Sequence, residues 1–167
     1  MGKVVAFDYP YMAAGRRTPD RLPTLVDAHR AALDAARQGH SGALILIGKS
    51  MGGRVGCHLA LQETVAGLVC LGYPLKGVGK SGQLRDEVLL ALETPVLFVQ
   101  GTRDALCPLE LLAQVRPRMR AKNELEVVES GDHSLLATKG HLKASGLTQA
   151  DVDARVLAVI DAFSDAL

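Results

Sequence analysis

The sequence predicts a doubly wound, mostly parallel α/β sheet, and two observations support this prediction. Five short runs of apolar, often β-branched residues recur along the 167-residue chain, at residues 3–8, 43–48, 66–72, 95–101 and 124–130. Their apolarity is continuous rather than alternating, which is typical of strands covered on both faces. Helical patterns lie between and after the runs, and such strand–helix alternation produces parallel sheets with right-handed crossovers. We therefore expect residues 1–167 to form a single domain.

Four helices are expected around these strands. The first covers residues about 20–38, with Thr18 as its N-cap and Pro19 in its first turn. The second follows the second strand at once, over residues 52–62, and the third runs from Pro108 to about residue 119. The last begins at Thr148, where Asp151 three residues later forms a variant of the capping box. Residues 73–83 and 131–148 are rich in Gly, Ser and Lys and are expected to be irregular.

Charge and cysteine content exclude several classes of protein. The 19 basic and 18 acidic residues give a formal charge of +1, so we expect neither nucleic acid nor an anionic membrane as a partner. Cys57, Cys70 and Cys107 form no Cys-x-x-Cys pair and are interpreted as buried free thiols in a reducing compartment. The sequence shows no apolar run of signal-peptide or membrane-spanning length. We therefore expect a soluble, cytoplasmic protein.

A serine lies on a sharp turn between the second strand and its helix. Residues 48–52 read Gly-Lys-Ser-Met-Gly, and the glycines on either side of Ser50 are expected to let strand and helix approach closely. Such a turn holds a serine hydroxyl clear of the sheet, near the positive end of the helix dipole. The alternative, a phosphate-binding loop, needs a glycine where this chain has Ala43, followed by a flexible loop instead of a strand. Ser50 is therefore the candidate nucleophile.

The chain order also supplies an acid and a base. Asp104 follows the fourth predicted strand and His133 the fifth, so both are expected at the carboxyl edge of the sheet, with Ser50. A serine hydroxyl needs such a base, which needs an orienting acid. Three bland alternatives stay open. Asp104 could cap the helix at Pro108, His133 could be an ordinary loop residue, and Asp132 is a rival acid, although its adjacency to His133 places it poorly.

Six motifs spread over nearly the whole chain carry a family resemblance. They are Phe-Asp-Tyr-Pro-Tyr-Met at 7–12, Gly-Arg-Arg-x-Pro-Asp-Arg at 15–21, Gly-Lys-Ser-Met-Gly-Gly-Arg at 48–54, Gly-Tyr-Pro-Leu at 72–75, Gln-Gly-Thr-Arg-Asp at 100–104 and Gly-Asp-His-Ser at 131–134. Together they resemble small α/β-hydrolases of the dienelactone-hydrolase-like group, in the branch of the testis-expressed protein 30 and NSL-complex subunit 3 hydrolase-like proteins. The resemblance implies the α/β-hydrolase fold, with Ser50, Asp104 and His133 as its triad.

The resemblance also exposes a departure from the family. Its members carry a further strand that ends in a His-Gly-type loop and lies between the strands that correspond here to residues 3–8 and 43–48. That loop supplies one oxyanion-hole amide, and the residue after the nucleophile, Met51, supplies the other. We expect this chain to lack that N-terminal strand and loop. Four explanations stay open: the start of the gene is assigned too late, the sequence is part of a longer chain, the two flanking strands pair directly, or another subunit supplies the strand. Losing one oxyanion donor typically lowers the rate about 10²–10³-fold.

The function expected from these observations is that of a serine hydrolase acting on a small ester or thioester, with reduced activity. Neither a metal nor an organic cofactor is expected, because Ser50, His133 and Asp104 supply the chemistry. The partner is a small acyl substrate, and a protein partner or self-association stays open. The alternative from another class is a non-catalytic hydrolase-fold scaffold for protein partners, which the missing oxyanion loop favours and the retained triad opposes.

Overall fold

Four parallel strands form the sheet of the computed structural model, which describes residues 2–77 and 84–167. Their order in the sheet follows the chain, β1-β2-β3-β4, and each agrees with a predicted strand to within two residues at either end. The strands are β1 (Ile45–Lys49), β2 (Gly67–Leu71), β3 (Val96–Gly101) and β4 (Asn123–Val128). The prediction of a parallel α/β sheet is confirmed for these four.

The predicted strand at residues 3–8 is wrong. The segment has no regular structure, and Val4, Val5 and Phe7 are exposed. An apolar, β-branched run becomes a strand only when it pairs with another, and no strand in the described residues pairs with this one. The ring of Phe7 packs instead against Tyr9 and His29, with ring centroids 5.2 and 5.1 Å apart. The direct pairing of residues 3–8 with β1 is therefore also wrong.

One edge of β1 is open within residues 2–77 and 84–167. The Leu44 carbonyl accepts from the Ala66 amide, and the Ser50 amide donates to the Leu71 carbonyl, so the even-numbered residues of this strand face β2. The amides and carbonyls of the alternate residues, 45, 47 and 49, therefore face the open edge. The side chain of Ile47 is also half exposed. β1 has the hydrogen-bonding surface of an edge strand although its sequence is typical of a buried one.

Seven α-helices accompany the sheet in the described residues: α1 (Pro10–Ala13), α2 (Leu22–Gln38), α3 (Met51–Ala60), α4 (Glu87–Ala91), α5 (Leu109–Val115, continued by a 3₁₀ turn at Arg116–Arg118), α6 (Lys139–Ser145) and α7 (Gln149–Asp165). The four predicted helices correspond to α2, α3, α5 and α7. None of the helices in the described part of the chain is long and apolar enough to cross a bilayer.

Two predictions about helix ends and loops are wrong. Helix α2 is capped by Arg21 without a side-chain hydrogen bond, and Pro23 instead of Pro19 occupies its first turn, so Thr18 lies in the preceding loop. Segment 131–148, predicted to be irregular, contains α6, which Thr138 caps by accepting from the His141 amide. In the other segment predicted to be irregular, residues 78–83 lie outside the described residues.

The sheet is covered on both faces, as continuous apolarity requires. Alternate strand residues such as Leu68, Cys70 and Phe98 join the larger core, with α2 and α3. The residues between them, among them Val69, Leu97 and Val99, pack against Val156, Ile160 and Phe163 of α7. This two-sided packing leaves the strand ends as the surface where loop side chains meet.

The capping box at the start of α7 predicts a pH-dependent stability. The Thr148 hydroxyl accepts from the Asp151 amide at 3.2 Å, and Asp151 Oδ2 accepts from the Thr148 amide at 2.7 Å. Hydrogen bonds from Thr148 hold the pKa of Asp151 below its ordinary 3.8. A folded-state pKa below the unfolded one stabilises the protein at pH values above the unfolded pKa, and this stabilisation is lost as the pH falls through the folded-state pKa.

We expect Asp151→Ala to lower the melting temperature at pH 7 and to differ less from wild type near pH 3. An equal difference at both pH values in thermal unfolding would contradict this, and Asp153→Ala is the control.

Candidate active site

The three candidate side chains converge at one edge of the sheet because the strands are parallel and in register. Lys49, the last residue of β1, pairs with Leu71 at the end of β2, which in turn pairs with Val99 of β3. The ends of β3 and β4 coincide as well, since Gly101 pairs with Val128. The loops that leave these strands therefore start from a common edge, and they carry Ser50, Asp104 and His133.

A continuous hydrogen-bonded series joins these three residues. His133 Nε2 lies 2.8 Å from Ser50 Oγ, and His133 Nδ1 lies 2.8 Å from Asp104 Oδ2. An ionised carboxylate only accepts, so Nδ1 carries the proton and Nε2 is free to accept from the serine hydroxyl. The Asp104 side chain is fully buried, whereas the imidazole is 30% exposed. The arrangement has the geometry needed to draw a proton from Ser50.

Ser50 adopts a backbone conformation that non-glycine residues rarely take, with φ 53° and ψ −117°. Such a conformation costs about 1–3 kcal/mol and persists only where the surroundings enforce it. Gly48 is essential to this turn, since an added Cβ would lie 2.3 Å from the Gly52 carbonyl carbon and the Gly53 nitrogen. A Cβ on Gly53 would lie 2.8 Å from the Gly48 oxygen, but one on Gly52 would meet nothing within 4 Å. The expectation that Gly52 permits the close approach is therefore wrong, and Gly53 has that role.

The amide after the serine is the candidate oxyanion donor. The Ser50 amide is already used, because it donates to the Leu71 carbonyl at 2.8 Å. Met51 is the first residue of α3, and the first amides of a helix have no acceptor within the helix. Its N–H lies beside the serine at the positive end of the helix dipole, where it can stabilise a developing negative charge.

Neighbouring residues fix the conformation of the loop that carries His133. Asp132 Oδ1 accepts from the amides of Ser134 at 2.7 Å and Leu136 at 3.1 Å. The hydrogen bond from Leu136, followed by that from Ser134, lowers the pKa of Asp132 and favours the ionised form. A Cβ on Gly72, whose φ is 63°, would come within 2.8 Å of the His133 carbonyl oxygen. Asp132 thus shapes the loop, while the acid that touches the imidazole is Asp104.

The structure also tests the capping alternative for Asp104. Helix α5 is preceded by Pro108 and has no side-chain cap, so Asp104 does not cap it. Asp104 Oδ1 accepts instead from the Leu106 amide at 2.8 Å, within the turn that follows β3. This contact orients the carboxylate and leaves Oδ2 for His133.

Two contacts at this edge were not predicted from the sequence. Lys49 Nζ donates to Ser134 Oγ at 2.9 Å and ties the residue before the serine to the residue after the histidine. Gln100, fully buried at the end of β3, donates from Nε2 to Asp104 Oδ2 at 2.6 Å. Gln100 had a signal in the sequence, since it is the one polar side chain of an otherwise apolar strand. Lys49 had none.

Cys107 lies near Asp104 but is unsuited to act as a nucleophile. Burial, followed by the charge of Asp104, raises the pKa of Cys107 to about 12, so the thiol stays protonated at neutral pH. Cys57 and Cys70 are likewise buried and unbridged, as expected, with their sulfurs 3.7 Å apart. The candidate nucleophile of this edge is therefore the serine.

A strained serine between a parallel strand and a helix, with a histidine and an aspartate from later strand ends, defines the α/β-hydrolase class of sites. The sequence profile of the alpha/beta hydrolase domain matches residues 2–165. The chain belongs to the α/β-hydrolase family.

Solved structures show the same fold. A serine hydrolase homologue from Coxiella burnetii superposes with a TM-score of 0.58 at 22% identity, over 72% of this chain and 57% of that one. A Klebsiella pneumoniae protein assigned to the dienelactone hydrolases superposes with a TM-score of 0.61 at 20% identity, over 92% of this chain and 67% of that one. Est1E from Butyrivibrio proteoclasticus superposes with a TM-score of 0.58 at 16% identity, over 85% of this chain and 72% of that one. The chain thus spans little more than half the length of the Coxiella protein, and at these identities the likeness is one of fold.

Proposed function

We propose that this chain is a serine hydrolase that cleaves a small ester or thioester. The observation that carries the proposal is the pair of 2.8 Å contacts that connect Ser50 Oγ through the His133 imidazole to Asp104 Oδ2. A side-chain series of this order around a strained serine is what acyl transfer needs. The family assignment supports the same class of reaction, and the dienelactone-hydrolase-like branch of the testis-expressed protein 30 relatives is our proposal for its place within the family.

The proposed reaction has two steps. Ser50 Oγ attacks the acyl carbon while His133 Nε2 takes the hydroxyl proton, and the negative charge moves to the carbonyl oxygen. The tetrahedral intermediate collapses, the bond to the leaving alcohol or thiol breaks, and His133 returns its proton to that group. Water then attacks the acyl-serine with His133 again as base, which releases the acid and restores Ser50. Asp104 holds the imidazole tautomer and stabilises the imidazolium in both steps.

We propose that turnover is slow for an enzyme of this class. In residues 2–77 and 84–167 we identify a single amide placed for the oxyanion, that of Met51. Tetrahedral intermediates are usually held by two such donors, and the loss of one typically lowers kcat about 10²–10³-fold. We also place the protein in a reducing compartment, which suits three buried, unbridged cysteines.

The first test is covalent labelling of the serine. A fluorophosphonate probe is expected to label Ser50 in the folded wild-type protein and to leave Ser50→Ala unlabelled. The same substitution should lower p-nitrophenyl acetate turnover about 10³-fold or more, because the imidazole then has no hydroxyl to activate. Ser145→Ala, which removes an exposed serine of α6, is the matched control and should label normally. Equal turnover by wild type and Ser50→Ala would reject the proposal and favour a non-catalytic role.

A further inference from the structure

Gln100 is a polar side chain where the fold calls for an apolar one. It is the fifth residue of β3, whose other side chains are all apolar, and its side chain is fully buried. Burying an amide without complete hydrogen bonding destabilises the folded state. Among the described residues Gln100 Oε1 has no hydrogen-bond partner, so part of that cost is uncompensated. Fold stability therefore does not explain the residue.

The contact that Gln100 does make is with the candidate site. Its Nε2 lies 2.6 Å from Asp104 Oδ2, the same oxygen that faces His133 Nδ1 at 2.8 Å. The opposite orientation of the amide would direct Oε1 at a carboxylate, which repels it. Since Leu106 donates to Oδ1 at 2.8 Å, the carboxylate receives three hydrogen bonds, and its plane is held from both ends.

We propose that Gln100 is a positioning residue that sets the orientation of the Asp104 carboxylate and the charge that it presents to His133. The inference rests on the proposed function, since it concerns the same three side chains. Gln100 touches neither the substrate nor the reacting atoms, and it acts only through Asp104. Because Oε1 is buried without a hydrogen-bond partner, this arrangement lowers the stability of the fold.

Two consequences distinguish this role from a structural one. When Gln100 and His133 share one oxygen, each receives part of its charge, so removing the amide leaves a stronger acceptor for the imidazole. A stronger acceptor stabilises the imidazolium, which moves the acid limb of the kcat/KM profile to higher pH. At the same time the carboxylate loses one of its three restraints, and kcat should fall.

The experiment uses Gln100→Met, which keeps the shape and removes both polar atoms. We expect kcat/KM for p-nitrophenyl acetate at pH 7 to fall about 3- to 10-fold, the range of one net hydrogen bond. The acid limb of the kcat/KM profile should move to higher pH. In the 1H NMR spectrum, the low-field signal of the proton between His133 Nδ1 and Asp104 Oδ2 should move further downfield. The urea midpoint should change little, since the loss of the hydrogen bond to Asp104 and the removal of a buried unpartnered oxygen act in opposite directions. Phe98→Leu, a volume change on the same strand, is the control: it should lower the urea midpoint and leave the acid limb and the proton signal unchanged.

The outcomes separate this inference from the proposed function. If Gln100→Met unfolds at lower urea while its pH profile and proton signal match wild type, the residue is structural and the inference is overturned. If Gln100→Met does not yield folded protein, Gln100→Leu decides by the same readouts. If wild type neither reacts with a fluorophosphonate nor turns over the ester, the proposed function falls, and the proton signal alone then decides whether Gln100 controls the His133–Asp104 pair.

Discussion

Asp104→Asn is expected to lower kcat about 10³–10⁴-fold, while Asp132→Asn changes it less than about threefold. An asparagine amide facing His133 Nδ1 donates to it, so the imidazole carries its proton on Nε2 instead. That nitrogen faces Ser50 Oγ at 2.8 Å and can then no longer accept the hydroxyl proton. Asp132 makes its contacts with backbone amides through Oδ1, and the side-chain oxygen of an asparagine can accept both.

The measurement is the steady-state kcat for p-nitrophenyl acetate together with the burst of p-nitrophenol. Both variants change one carboxylate into an amide, and the two residues are the rival acids for the same imidazole, so each serves as the control for the other. Circular dichroism should show both folded. A larger loss in Asp132→Asn than in Asp104→Asn would identify Asp132 as the functional acid and contradict the assignment.

Gly48→Ala is expected to lower the free energy of unfolding by more than about 3 kcal/mol, while Gly52→Ala raises it by about 0.5–1 kcal/mol. The added Cβ at Gly48 meets backbone atoms of residues 52 and 53 at 2.3 Å, and backbone atoms cannot rotate away as a side chain can. At Gly52 the methyl group has open space, and an alanine inside α3 restricts the unfolded chain and favours the helix.

Urea denaturation followed by far-UV circular dichroism measures both effects. The two substitutions add the same methyl group within five residues of each other, so composition and charge are matched. Equal destabilisation by both would mean that the close approach of strand and helix extends to Gly52. It would restore the expectation from the sequence that both glycines flanking the serine are required.

Much of the site could be predicted because it depends on the order of strands and site residues along the chain rather than on distances between atoms. A serine after β1, an aspartate after β3 and a histidine after β4 must share an edge if the strands are parallel, and that was enough to bring Ser50, Asp104 and His133 together. The hydrogen-bond distances follow from packing that no pattern encodes. The contact of Lys49 with Ser134 is an example, because a lysine side chain at a strand end has many rotamers and the sequence does not determine which one it adopts.

The errors in the fold have two physical origins. Residues 3–8 have the composition of a strand, but strand formation is decided by a partner elsewhere, whereas α7 carries its own capping signal in Thr148 and Asp151. The start of α2 differs from the predicted one because two prolines, Pro19 and Pro23, both satisfy the rule that favours proline in the first turn of a helix. Local signals therefore located α2, α3, α5 and α7, whereas whether residues 3–8 form a strand is decided by pairing in three dimensions.

The open edge of β1 has a consequence for when the site exists as a whole. Local opening of a protein begins where the fewest backbone hydrogen bonds must break, and β1 is held within the described sheet from one side only. Its fraying would carry Ser50 away while Asp104 and His133, on loops after β3 and β4, stay joined. Amide exchange at residues 46, 48 and 50, whose N–H groups face β2, reports that opening directly. The nucleophile thus directly follows one of the two strands that are paired on one side only in the described sheet, and the fraction of time that β1 stays paired sets an upper limit on the fraction of active molecules.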